Sequence, residues 1–156
     1  MEETIYSGIR RILAPNPSPM TFTGTNTYLI GHKEIAVIDP GPKSSSHMNN
    51  ILKATKAGSK ITKIFVTHSH LDHSPLAAEL SEQTNAKIYA FGDSFAGRST
   101  EMNKLAHNNS IGGGEGVDTN FKPNVSLMDG AELIHDNEKI IAIWTPGHFG
   151  NHMAFI

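Results

Sequence analysis

With 156 residues, 38% of them hydrophobic and 18% charged, the chain has enough apolar material for one domain with a real core and too little for two. Thirteen basic against fifteen acidic residues leave a net charge of −2, so there is no global field to gather nucleic acid or an anionic membrane. The lack of cysteine excludes disulfides and restricts any metal site to nitrogen and oxygen ligands.

The N-terminal "MEETIYSGIRRILAPNPSP" does not read as a secretory signal. No apolar run approaches the roughly 20 residues of a membrane span, and a cytoplasmic location is the default expectation. "GIRRIL" (8–13) reads as a strand, and Pro15, Pro17 and Pro19 forbid regular pairing in the loop behind it. "TNTYLIG" (25–31) and "EIAVIDPG" (34–41) are two strands of a hairpin. "SSSHMNNILKATKAG" follows as a helix, with serine caps and Gly58 as its stop. "KITKIFVTH" (60–68) is a β-branched strand. "SPLAAELSEQTNA" (74–86) is a helix with Ser74 as N-cap and Pro75 at its first position. "KIYAF" (87–91) returns as a strand, so the rhythm is α/β with parallel crossovers.

Residues 92–124 form an irregular insert with room for one short helix, and the glycine-rich "GGGEGVD" suits a lid or a disordered loop. It lacks the G-K-S/T ending of a phosphate cradle. "NVSLMDGAELIHD" and "EKIIAIWTPGH" close the chain as paired strands, with "DG" and "DNEK" as turns and Trp144 as a core residue.

"VTHSHLDHSP" (66–75) sets three of the nine histidines and an aspartate within six positions. Imidazoles this close repel when protonated and are costly to bury unpaired, so a divalent cation is the simplest way to make the cluster favourable. On an extended segment His68 and His70 face one side, Asp72 continues the alternation, and His73 falls beside it. A strand's carboxyl end before a helix is where α/β sheets place their active sites. This donor set suits zinc, with iron or manganese as alternatives. A second stretch, "TPGHFGNH" (145–152), puts His148 on a tight Pro–Gly turn behind another apolar strand, in position to supply a third neutral ligand. His32, His47, His107 and His135 are expected to be solvated.

"THSHLDH" resembles the T-H-x-H-x-D-H signature of the metallo-β-lactamase superfamily, and "TPGHFGNH" resembles its T-P-G-H-T-x-G-H turn. "GTNTYLI" and "AVIDPG" are similar to its opening strands, and "NPSPMTFTGTNTYLIG" to its glyoxalase-II-like, LACTB2-like branch. The resemblance covers nearly all of residues 1–156 and implies an αββα sandwich, apparently truncated after the first half. It further implies His68, His70 and His148 as ligands of one metal, with Asp72 and His73 beginning a second site. Asp39 would support the ligand loop, and His152 would be mainly structural. The family's bridging aspartate and last histidine would lie beyond Ile156, so the chain reads as truncated or as a half-length protein needing a partner.

The implied chemistry is hydrolysis by water on one or two zinc ions, with Asp72 orienting the nucleophile. A small acyl or thioester substrate is the preferred reading. Cleavage of RNA or another phosphodiester is the alternative, which the balanced charge does not favour, since phosphate contacts need clustered Lys and Arg. A third expectation is a catalytically incomplete metal-binding module that pairs with a second copy through an exposed apolar face.

Overall fold

The computed structural model describes residues 2–107 and 116–156. Ten strands and three helices follow in the order β1 (Glu2–Tyr6), β2 (Ile9–Leu13), β3 (Asn26–Ile30), β4 (Glu34–Ile38), α1 (Ser45–Ala54), β5 (Lys60–Phe65), α2 (Ala77–Thr84), β6 (Lys87–Ala90), α3 (Thr100–His107), β7 (Val125–Ser126), β8 (Ala131–His135), β9 (Glu138–Trp144) and β10 (Met153–Phe155). The side chain of His107 and most of the glycine-rich stretch fall outside the described residues.

β1 to β7 form one sheet in sequence order. β1 to β4 are an antiparallel meander, because their connections are too short to cross over. From β4 onward the pairing is parallel, since α1 and α2 each carry the chain back across one face. A second sheet, ordered β10-β9-β8, is antiparallel throughout.

The large sheet buries both faces, which explains its near-continuous Ile/Val runs. One face packs Ile35, Val37 and Ile64 against Met48 and Ile51 of α1 and Leu80 of α2. The other packs Ala36 and Phe65 against Ile140, Ala142 and Met153 of the small sheet. The result is helix, sheet, sheet: three layers of the expected αββα sandwich. Across the small sheet from this core, Ile134 and Ile156 remain 69% exposed. Trp144, expected in the core, is half-buried against the inter-sheet cluster and stacks on Phe91 at 4.8 Å.

The β8–β9 turn rivets the two sheets together. Asp136 and Asn137 have φ of 48° and 70°, the pair of positive values that a tight primed hairpin needs. The Asp136 carboxylate then accepts the N–H groups of His32 (2.6 Å), Lys33 (3.3 Å) and Glu34 (3.3 Å) on the β3–β4 turn.

Several expectations need correction. His135 is buried rather than solvated, with Nε2 donating to the Ile30 carbonyl at 3.1 Å. His47 is also fully buried, for reasons given below. α2 starts at Ala77, not Pro75, and Ser74 is not its cap. The Ser74 hydroxyl bonds the Asp118 carboxylate at 2.9 Å instead, since a distant loop competes for it. β5 ends at Phe65, short of the histidines, because Thr67 leaves the ladder for a side-chain acceptor. β1 was not anticipated; it is an exposed edge whose Glu2 and Glu3 pair with Arg10 and Arg11.

Candidate metal centre

The centre is built where β4 and β5 end. Asp39 leaves β4 with φ of 50°, a left-handed conformation that Asp tolerates better than most residues. Its carboxylate accepts the Thr67 N–H (2.7 Å), the Thr67 hydroxyl (2.6 Å) and His73 Nδ1 (2.7 Å). One side chain thus closes both ends of the loop carrying His68, His70 and Asp72. Gly41 secures the same loop by backbone: its N–H bonds His73 O at 3.0 Å and its carbonyl accepts from Leu76 at 3.1 Å.

These bonds fix proton positions. The single Thr67 hydroxyl proton goes to Asp39, since a carboxylate offers only lone pairs. Thr67 Oγ1 must then accept from His68 Nδ1, 2.9 Å away, which leaves His68 Nε2 with a bare lone pair. That nitrogen faces His70 Nδ1 at 3.0 Å. Two imidazole nitrogens so placed share either a proton or a cation. His148 brings a third, and one ligand atom from each of the three residues lies within 4.8 Å of the other two.

Electrostatics keep His68 and His70 neutral. Burial, then the neighbouring His73, His70, His152 and His148, lower the His68 pKa to about 2. Burial and His148 lower that of His70. Neutral imidazoles with converging lone pairs are what a divalent ion requires, so the residues present fit one.

His73 stands apart from this triad. Its Nδ1 meets Asp39 and its Nε2 lies 3.1 Å from Asp72 Oδ2. Burial opposes charge there, yet the bonds to Asp39 and Asp72 outweigh it and raise the His73 pKa to about 10. Burial likewise disfavours the Asp72 carboxylate, but His73 and the Thr25 hydroxyl at 2.9 Å hold its pKa down to about 2. Asp72 and His73 therefore form a charged pair beside the three histidines, where the expected second site would begin. His152 also stays outside the triad, its Nδ1 bonded to Thr145 Oγ1 at 2.7 Å.

Several supporting residues escaped the sequence reading. Asn151, buried, accepts from Ser69 N (3.3 Å) and donates to Ser69 Oγ (3.1 Å) and Asp93 O (2.9 Å), tying the two histidine turns and the 92–98 loop together. Trp144 Nε1 donates to Gly150 O at 2.9 Å and steadies the same turn. His47 reaches the centre from α1: its Nε2 lies 2.8 Å from Thr27 Oγ1, whose one proton goes to Asp39 O at 2.7 Å. His47 Nε2 must therefore donate, and the strained Asp39 backbone is held from behind. Only the adjacency of Asn151 to His152 hinted at any of this; Thr27 and His47 carry no local signal.

The fold has counterparts among known proteins. The family model for the metallo-beta-lactamase superfamily matches residues 20–155. A beta-lactamase-like protein 2 homolog from Caenorhabditis elegans is 31% identical, covering 97% of this chain and 46% of its own length. An atrochrysone carboxyl ACP thioesterase from Passalora fulva is 29% identical, with 99% and 40% covered. Among solved structures, a beta-lactamase domain protein from Burkholderia ambifaria superposes with a TM-score of 0.73 at 19% identity, over 99% of this chain and 50% of that one. The chain spans less than half the length of these two curated relatives. On the match across residues 20–155, the chain belongs to the metallo-beta-lactamase superfamily.

Proposed function

We propose that this chain carries the metal-holding half of a zinc-dependent hydrolase acting on ester or thioester bonds of small acyl substrates. The observation that carries the reading is the convergence of His68, His70 and His148 ligand atoms within 4.8 Å, with the His68 proton parked on Nδ1. These three side chains would hold the first ion, and Asp72 would begin a second position, which His73 would join on giving up one of its two N–H protons. When bound, zinc lowers the pKa of its water to about 7 and polarises the carbonyl under attack.

The chain's own residues do the rest. Asp72, ionised and oriented by Thr25, accepts a hydrogen bond from the attacking water and aims it. Thr67 and Asp39 keep His68 in the ligating tautomer. Phe149, edge-on to His70 at 4.8 Å, walls one side against solvent. The thioesterase named among the relatives supports an acyl bond as the target.

No described helix is long and apolar enough to cross a membrane, and a cytoplasmic location belongs to the same reading. So does a second copy covering the outer face of the small sheet at Ile134 and Ile156. Light scattering tests the pairing: a clean monomer that binds no hydrophobic dye overturns it. For the centre, wild type should retain stoichiometric zinc after dialysis and His68→Ala/His70→Ala should lose it. Zinc retained by the double variant refutes the ligand assignment.

A further inference from the structure

The loop between β6 and α3 takes no part in the reading above, yet it is pressed onto the His148 turn. A Cβ added to Gly97, at φ +73°, would meet Gly150 O at 2.0 Å; one added to Gly150 would meet Ala96 O at 2.9 Å and Arg98 N at 3.0 Å. Two glycines thus let the backbones touch, and that contact sets the position of Arg98.

Arg98 Cζ lies over the Phe95 ring at 5.0 Å and over the Phe149 ring at 5.8 Å. Phe149 in turn lies against His70 at 4.8 Å and His68 at 6.1 Å. One ring therefore separates the guanidinium from the candidate ligands. Arg98 is half-exposed, and among the described residues no carboxylate pairs with it. Aromatic faces orient a guanidinium plane but take none of its five N–H donors along the edge. The donors of a planar fork match the paired oxygens of a carboxylate or phosphate.

We propose that Arg98 recognises an oxyanion carried by the substrate of the neighbouring centre, which makes the substrate class a negatively charged acyl compound. This rests on the hydrolase reading, with Phe95 and Phe149 as the platform that holds the guanidinium in place. Phe149 acts twice, shielding the imidazoles and steadying the cation. An acyl group that reaches the ligands past the edge of the Phe149 ring brings its far end toward Arg98, which lies over the same ring, so charge there governs recognition without touching the reacting atoms.

Hydroxamates test this without catalysis, because they bind a metal centre and are not turned over. Three probes are compared by calorimetry on the zinc-loaded chain: neutral butanohydroxamate, succinate monohydroxamate and 3-phosphonopropanohydroxamate. At least one anionic probe should bind about tenfold tighter than the neutral one, and the stronger of the two identifies carboxylate or phosphate. Arg98→Gln should equalise all three, Arg98→Lys should restore part of the preference, and added salt should shrink it. Equal binding in wild type, or a preference that survives Arg98→Gln, overturns the proposal while leaving the metal centre intact. Failure of all three probes on a chain that also loses zinc on dialysis overturns the centre, and the inference with it.

Discussion

The two histidine turns reach the same point by different means. The first, residues 67–74, buries His68, Ser69, His70, Asp72 and Ser74, and side-chain hydrogen bonds hold it: Asp39 to Thr67 and His73, Thr25 to Asp72, Thr67 to His68. The second, residues 145–152, leaves His148 exposed and without a side-chain hydrogen bond among the described residues. Asn151, Trp144 and the Gly97–Gly150 contact position it through its backbone. The first turn is rigid before any ion arrives, whereas the second is aimed as a unit and its ligand completes the set. Stability and metal affinity should therefore separate between them.

The sharpest way to break that contrast is Asp39→Ala, which strips three bonds from the first turn and leaves the charged His73 with only Asp72. Removing one partner of a buried pair costs roughly 3–5 kcal/mol, read as a drop in the urea midpoint, and zinc affinity should fall about 10–100-fold. A variant with unchanged midpoint would show that backbone packing alone holds the turn.

The next effect concerns pH. Burial lowers the His47 pKa from 6.5 to about 4, so on acidification the unfolded chain takes up the proton first. Its contribution is present above pH 6.5 and drains away as pH falls toward 4, up to about 3 kcal/mol in all. His68 and His70 shift the same way, so the difference between wild type and His47→Gln in metal-free protein isolates the effect. The glutamine keeps a donor for Thr27 and removes the titration; parallel curves would refute the assignment. His73 has the opposite sign: its raised pKa stabilises fully below 6.5, and that part is lost as pH climbs through about 10.

Asn151→Ala should cost about 1–3 kcal/mol by stranding Ser69 and Asp93 groups, and should weaken zinc binding by loosening both turns. The smallest expected change in stability is that of His148→Ala, within about 0.5 kcal/mol for an exposed side chain. The same variant should nevertheless lose tight zinc binding. Equal stability losses for His148→Ala and Asn151→Ala would erase the distinction between an aimed ligand and its support.

Local chemistry explains why so much was legible beforehand. The hydrophobic periods of β2 to β6 and α1, the turn residues Asp136 and Asn137, and the clustering of His68, His70, Asp72 and His73 are all short-range features. Each reads without knowing what packs where. His148 was legible because a Pro–Gly turn behind an apolar run is equally local. The extended geometry inferred for His68 and His70 was displaced, since β5 stops at Phe65 once Thr67 finds Asp39.

What remained hidden depends on partners far apart in the chain. His47 and His135 sit in polar stretches that resemble solvent-facing turns, and only Thr27, 20 positions away, and Ile30, 105 positions away, reveal them as buried donors. Ser74 looked like a cap until Asp118 claimed it, 44 positions on. The local composition of this chain is enough to specify its donor atoms and its elements apart from β1 and the exact ends of α2 and β5, because propensity and spacing act over a few residues. Tautomers, charge states and the stacking of Arg98 are settled only on folding, because a proton goes to the nearest acceptor in space, and the sequence does not order its residues by that distance.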